Sequence, residues 1–253
     1  MLSYARKLCK IVLNPQYIFS KTEYLFIFSH MRSRSTLLSH VLGTHPEICG
    51  YRELHHSYRN RVSLFKMRSR IAEELQCNIQ NKYLLDKLLH NKLLFSENIL
   101  KKVKPKIIFL LREPESTIKS IMNMGYITGT EWYKDPLKAA DYYCSRLLKL
   151  EEYSKQMEGN YFFINSNDII EDSENILDSL TDWLNLKEPL KKEYSIFPHT
   201  GKAGHGDPSQ NIRSGIIKKT ESYPEIEIPS DILRQATISY LACKNSLLRG
   251  SVN

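Results

Sequence analysis

Four short runs of this chain are almost continuously apolar: 24–29 (YLFIFS), 83–86 (YLLD), 106–111 (KIIFLL) and 161–164 (YFFI). Each has the length and composition of a strand buried on both faces. The segments between them change period. Positions 35–42 (STLLSHVL) follow a polar turn and read as a helix. Over 136–156, Leu137, Ala140, Tyr143, Cys144, Leu147, Leu148 and Tyr153 recur near helical spacing, and over 173–186 Ile176, Leu177, Leu180 and Leu184 do the same. A last helix is predicted over 231–248, opened after Pro229-Ser230 and stopped by Gly250. Buried strands alternating with helices predict an α/β fold in three layers, a central parallel sheet flanked by helices. Ligands bind such sheets at the carboxyl ends of the strands. The residues after Ser29, Asp86 and Leu111 are therefore where chemistry is expected. Two regions, 51–80 and 201–222, are less regular and read as lids, as ligand-binding insertions or as plain surface connections. No repeat or linker stands out, so 1–253 reads as one domain with 1–22 as an N-terminal extension.

Composition narrows the classes. With 42% apolar and 25% charged residues, the chain is neither disordered nor a collagen-like or disulfide-framed sequence. Cys9, Cys49, Cys77, Cys144 and Cys243 are widely spaced and include no C-x-x-C pair, which points to reduced thiols and away from a zinc site. No run approaches the ~20 apolar residues of a membrane span. The first residues carry neither a sustained apolar core nor a small-residue cleavage site. The expectation is a cytoplasmic protein. The balance of 36 basic against 28 acidic side chains gives +8, which fits a solvated basic surface or an anionic ligand; charge alone does not choose between them.

The first strand exit is the informative segment. Arg32, Ser33, Arg34, Ser35, Thr36 and Leu37 join a buried strand to a helix N-terminus. Backbone N–H groups there are available to a ligand, three hydroxyls add donors, and guanidinium groups match phosphate or sulfate oxygens in pairs. The plain reading is an N-capping serine beside solvated arginines; the density of donors favours an anion site. With Thr36 in the last place of the G-x-x-x-x-G-K-[ST] frame, Ser29, Arg34 and Ser35 stand where the two glycines and the lysine belong. An ATP site needs those residues.

The segment resembles the 5′-phosphosulfate loop of the sulfotransferases that use PAPS (3′-phosphoadenosine 5′-phosphosulfate), whose pattern is a strand, then [KR]-S-G-[ST]-[ST]-[LFW], then a helix. Here it runs Arg32-Ser33-Arg34-Ser35-Thr36-Leu37, with Arg34 in place of glycine. A second hallmark of that family is an arginine ending a buried strand and a serine eight residues later, both on the 3′-phosphate. Arg112 and Ser120 fit it, with Pro114 opening the helix between them. Looser similarities extend over most of the chain: 43–50, 165–170, Trp183-Leu-Asn-Leu186, and the glycine-rich 202–209, where Lys202, Gly204 and Arg213 become candidates for the nucleotide. The resemblance implies a P-loop nucleotide-kinase-like fold, PAPS as donor with PAP as product, and no required metal.

Sulfuryl transfer needs positioning, charge stabilisation on the leaving phosphate and a base for the acceptor proton. Arg32 is the expected electrostatic stabiliser, and Lys87 matches the family's strand-end lysine on the transferring group. Glu53, 21 residues after Arg32, resembles the catalytic glutamate of tyrosylprotein-type members, and burial is expected to raise its pKa toward neutrality. His55 and His56 are rival bases, His90 reads as a cap or a solvated side chain, and Glu53 could instead pair with Arg52 or a nearby histidine. Tyr51, His55, Tyr126 and Trp132 are candidates for the acceptor pocket, with 122–132 as an exposed loop around it. Regions 51–80 and 201–222 are then candidate lid or acceptor-binding segments. The expected acceptor is a hydroxyl, less readily an amine, of a small molecule such as a specialised metabolite or carbohydrate, with no nucleic-acid partner. Two alternatives stand: a P-loop-type nucleotide or small-molecule kinase, and a non-catalytic nucleotide or nucleic-acid binding protein.

Overall fold

The computed structural model describes residues 21–157, 159–202, 207, 210–219, 223 and 225–252. In chain order the elements are β1 (Glu23–Ser29), α1 (Ser35–Thr44), β2 (Ile48–Cys49), α2 (Arg61–Leu75), β3 (Tyr83–Leu88), α3 (Glu97–Val103), β4 (Lys106–Leu111), α4 (Pro114–Thr128), α5 (Glu131–Lys134), α6 (Pro136–Lys155), β5 (Phe162–Asn165), α7 (Asp168–Glu171), α8 (Ser173–Leu184), a 3-10 turn (Gln210–Ser214) and α9 (Ser230–Gly250). The strands form one parallel sheet in the order β2-β3-β1-β4-β5.

Strand side chains alternate between the two faces of a sheet, and here both faces are apolar. Phe26 and Phe28 of β1 join Leu84, Leu88, Ile107 and Phe109 in a core with Leu64 and Met67 of α2, Tyr143 and Leu147 of α6, and Ala236 and Tyr240 of α9. Their neighbours Leu25 and Ile27 join Leu85, Ile108 and Leu110 in a second core under Leu38 and Val41 of α1 and Leu177 and Leu180 of α8. Two opposite cores explain why the strands read as continuous apolar runs, and they confirm the three-layer α/β architecture. No helix among the described residues is long and apolar enough to cross a membrane.

Four features differ from the sequence reading. Region 51–80 is irregular only at its ends: its middle is the four-turn α2, opened by a capping box in which the Asn60 side chain accepts from Ser63 N–H at 3.1 Å and Ser63 Oγ accepts from Asn60 N–H at 3.2 Å. Segment 122–132 is not a loop: α4 runs through Thr128, Gly129 caps it in the left-handed region and α5 follows. β2 is an unpredicted strand, because two residues cannot show a period. At the other edge β5 begins one residue later than expected, and Tyr161 forms an isolated parallel bridge with Ser251.

β1 lies between β3 and β4, so connections leave its carboxyl end in both directions. That divergence opens the crevice in which open α/β sheets bind ligands.

Candidate functional site

The crevice is a cleft of about 250 Å³ above the exits of β1, β3 and β4. Its floor is the turn after β1. Ser29 donates to the Leu110 carbonyl at 2.5 Å and shares a hydrogen bond with Ser33 at 2.6 Å, so Ser33 is buried under the loop and serves its shape. Arg32 (φ 60°) and Arg34 (φ 67°) both adopt left-handed backbone, which folds the turn back and sets the first residues of α1, Ser35, Thr36 and Leu37, into the cleft wall. A glycine would meet that backbone demand at less cost. Arg34 instead uses its side chain to reach the β5 exit, donating to Asn167 Oδ1 at 2.7 Å and to Ser166 at 3.2 and 3.3 Å.

The β4 exit meets this loop. Arg112 donates from Nη1 to the Arg32 carbonyl at 3.0 Å, and its backbone N–H donates to His30 Nε2 at 3.1 Å. Burial holds His30 neutral, with its pKa lowered to about 3, which keeps Nε2 an acceptor. Ser120, two turns into α4, accepts from Arg32 Nε at 2.9 Å. Arg32, Arg34, Arg112 and Ser120 thus converge on one end of the cleft. Burial, reinforced by the neighbouring Arg34, lowers the Arg112 pKa to about 10. The Nε groups of Arg34 and Arg112 are buried and have no hydrogen-bond partner among the described residues. Such orphaned donors are rare in native interiors. Two of them in one wall fit an oxyanion ligand, and the donor set suits the phosphates of PAPS.

Asp207 joins the same end of the cleft. Its carboxylate pairs with Arg32 at 3.1 Å and its N–H donates to Thr36 Oγ1 at 3.1 Å. Lys87 approaches the same hydroxyl from below, with Nζ 3.2 Å from Thr36 Oγ1; it is fully buried and does not line the cleft. Burial lowers its pKa to about 8, against the pull of Glu53, Asp86 and Asp207.

The other end of the cleft holds Glu53, His55 and His90 beside Met31, Leu89, Met124 and Tyr133. Glu53 is 4% exposed; its Oε1 lies 3.3 Å from His55 Nδ1 and 3.9 Å from His90 Nε2. Desolvation pushes its pKa up, but His55, His90 and Lys87 outweigh that and hold it below the ordinary carboxylate value. This corrects the expectation of a raised pKa. The Arg52 guanidinium pairs with Glu74, and its Nη1 donates to the Glu53 carbonyl at 3.5 Å. The Glu53 loop is anchored by Asp86, which accepts from Leu54 N–H at 2.8 Å, from Lys87 N–H at 2.7 Å and from the Tyr58 hydroxyl. Complete burial pushes the Asp86 pKa up to about 7.

The structure therefore gathers Arg32, Arg34, Ser35, Thr36, Leu37, Glu53, His55, Arg112 and Ser120 around one space. It separates the rest. Tyr51 is buried and stacks on Phe197 with ring centroids 4.2 Å apart. Tyr126 and Trp132 are 56% and 39% exposed and lie away from the cleft, which takes Met124 and Tyr133 from the same stretch. Lys202 and Arg213 do not line it, and Gly204 lies outside the described residues. Ile212, Ile216, Lys218 and Tyr223 do line it, from a stretch whose sequence has no periodic signal.

No protein-family model matches the sequence, and no curated protein matches it. Solved structures do. Over 88% of this chain and 98% of the other, it superposes on the sulfotransferase domain from the curacin biosynthetic pathway with a TM-score of 0.59 and 22% identity. Over 88% of this chain and 96% of the other, it superposes on the sulfotransferase domain from the Synechococcus PCC 7002 olefin synthase with a TM-score of 0.58 and 18% identity. With the parallel sheet, the arginine-bearing turn after β1 and the Arg112–Ser120 pair already in place, these superpositions show that the chain has the sulfotransferase fold.

Proposed function

We propose that this protein is a PAPS-dependent sulfotransferase acting on a hydroxyl of a small molecule. The observation that carries the reading is the pair of buried, orphaned Nε donors of Arg34 and Arg112 in a cleft that also presents Arg32, Ser120 and the start of α1. Arg112, Ser120 and Arg34 would hold the 3′-phosphate end and Arg32, Ser35 and Thr36 the 5′-phosphosulfate. Bound there, PAPS supplies a sulfuryl group whose bond to the 5′-phosphate oxygen breaks as the acceptor oxygen attacks sulfur. Arg32 stabilises negative charge on the departing phosphate, and arginine remains protonated throughout. Lys87 acts from behind Thr36, orienting its hydroxyl.

The acceptor end is supported by different chemistry. Met31, Leu89, Met124 and Tyr133 offer an apolar, adaptable wall, with polar side chains concentrated at Glu53, His55 and His90. That lining favours a hydroxyl on an apolar body, as in a specialised metabolite, over a carbohydrate, which needs hydrogen-bond partners along its whole length. Glu53 is ionised and takes the acceptor proton. Its lowered pKa and its contact with His55 favour a second reading of that step, in which a histidine takes the proton and Glu53 orients it.

PAP and ATP binding, measured by calorimetry with and without magnesium, tests the donor assignment. The expected result is metal-independent PAP binding, weak ATP binding, and a loss of about tenfold or more in PAP affinity in Arg112→Ala. Magnesium-dependent ATP binding without a preference for PAP would establish the kinase alternative instead. For the proton step, Glu53→Gln is expected to keep PAP affinity and lower kcat about 100-fold or more. Near-normal turnover in Glu53→Gln with a large loss in His55→Asn or His90→Asn would move the base to the histidine.

A further inference from the structure

The hydrogen-bond ladder between β1 and β3 ends at the Phe28↔Leu88 pair. Beyond it the two chains diverge into the two halves of the cleft: the anion loop after Ser29, and the turn through Leu89 and His90 on the acceptor side. No strand pairing fixes their separation. One helix supplies that restraint. The Tyr142 hydroxyl of α6 accepts from Met31 N–H at 2.8 Å and donates to the Leu89 carbonyl at 2.7 Å. One turn later, Arg146 donates from Nε to the Ser29 carbonyl at 2.8 Å, from Nη2 to the Leu88 carbonyl at 2.6 Å and from Nη1 to Asn91 Oδ1 at 3.1 Å. Residues at this i, i+4 spacing share a helix face. Arg146 is fully buried, and among the described residues no carboxylate lies within ion-pairing distance of it. A buried guanidinium without an acidic partner is costly, and here its planar fork spans the ends of β1 and β3, one helical turn from the Tyr142 bridge.

Resting on the sulfotransferase reading, we propose that Tyr142 and Arg146 are positioning residues that couple the donor loop to the acceptor turn. Through Met31 and Leu89, the Tyr142 hydroxyl makes the geometry of one half-site depend on the other. Neither residue faces the cleft, so each acts through the backbone it holds.

The test compares Tyr142→Phe with Tyr161→Phe. Both delete one phenolic hydroxyl; Tyr161, whose hydroxyl donates to the Leu247 carbonyl at 2.9 Å, belongs to the far edge of the sheet. PAP affinity is read by calorimetry, and amide exchange of the peptide covering 88–92 by mass spectrometry with and without PAP. Tyr142→Phe is expected to weaken PAP binding about fivefold, the worth of one net hydrogen bond, and Tyr161→Phe to leave it unchanged. In the wild type and in Tyr161→Phe, PAP is expected to slow exchange in 88–92 about threefold or more; in Tyr142→Phe that slowing disappears. Arg146→Lys, which keeps the charge and loses the fork, is expected to behave as Tyr142→Phe does. Equal PAP affinity and equal protection of 88–92 in the two tyrosine variants would reduce Tyr142 to a packing residue and overturn the proposal. Failure of the wild type to bind PAP would defeat the sulfotransferase reading instead. The coupling would then be judged on unliganded exchange, where 88–92 must open about threefold faster in Tyr142→Phe than in Tyr161→Phe or the proposal falls.

Discussion

Replacing Arg34 by glycine separates the two tasks of that residue. Its backbone sits at φ 67° and ψ 17°, a conformation that costs a non-glycine residue about 1–2 kcal/mol. Glycine removes that strain but widens the unfolded ensemble, which takes back about 0.4–1 kcal/mol. The backbone therefore gains between about 0 and 1.6 kcal/mol. Against this stands the loss of the side chain's bonds to β5. The contact to Asn167 at 2.7 Å is a charge-assisted bond, worth about 1.5–3 kcal/mol when buried. Partial solvent access reduces it to about 1 kcal/mol, and the contacts to Ser166 at 3.2 and 3.3 Å add little. The two sides nearly cancel, so thermal unfolding of Arg34→Gly is expected within about 4 °C of the wild type. Binding is not offset. The variant removes a cation and one of the two orphaned donors from the cleft, so PAP affinity should fall about tenfold. The assay is a thermal melt paired with PAP titration, repeated in Arg34→Asn, which tolerates the left-handed backbone without supplying charge. Wild-type PAP affinity in Arg34→Gly would refute the donor role of Nε. A Tm loss beyond about 8 °C would show that the bridge to β5 outweighs the backbone term.

Two further expectations concern stability. His30 and His40, with pKa values lowered to about 3 and about 4 by burial, stay neutral in the fold while the unfolded chain binds protons below about pH 6.5. Each therefore removes about 1.4 kcal/mol of stability per pH unit as pH falls from 6.5 toward 4. Asp86, raised to about 7, works the other way: the fold keeps its proton between pH 4 and 7 after the unfolded chain has released it, so acid stabilises it there. Urea midpoints should fall between pH 6.5 and 5, less steeply in His30→Asn and more steeply in Asp86→Asn; a flat profile in the wild type would contradict the buried neutral histidines. Gly50→Ala should cost about 2–3 kcal/mol in urea denaturation, because φ is 123° and a Cβ there would sit 2.2 Å from the Leu85 carbonyl oxygen. Wild-type stability in Gly50→Ala would mean that this turn relaxes freely.

The sheet and the anion loop were legible because each rests on local sequence. Phe26, Ile27 and Phe28 serve two cores at once and so read as an unbroken apolar run. The Arg32–Leu37 stretch and the Arg112–Ser120 pair carry their chemistry in adjacent or evenly spaced letters. α2 is obscured because Arg61, Lys66, Arg68 and Arg70 crowd its sequence, although Leu64, Met67 and Ile71 keep helical spacing and are buried. The acceptor side was not legible. Tyr126 is the more conspicuous letter than Met124, and two residues of helical rotation decide which of them faces the cleft. Tyr142 and Arg146 gave no signal, since a buried arginine in a helix looks like a surface one until the strand ends arrive above it. Glu53 is legible by resemblance alone, and its protonation depends on His55 and His90, of which His90 comes from a different loop.

The two edges of the sheet differ. β2 contributes only two residues at one edge. At the other, Ser251 and Val252 lie against the start of β5: Val252 N–H donates to the Tyr161 carbonyl at 3.1 Å, and the Ser251 hydroxyl accepts from Phe163 N–H at 3.0 Å. An exposed run of unpaired strand amides is a template for joining another molecule's sheet. Ser251 and Val252 thus cover the start of this edge, and their removal is expected to bare β5 to self-association without touching the cleft.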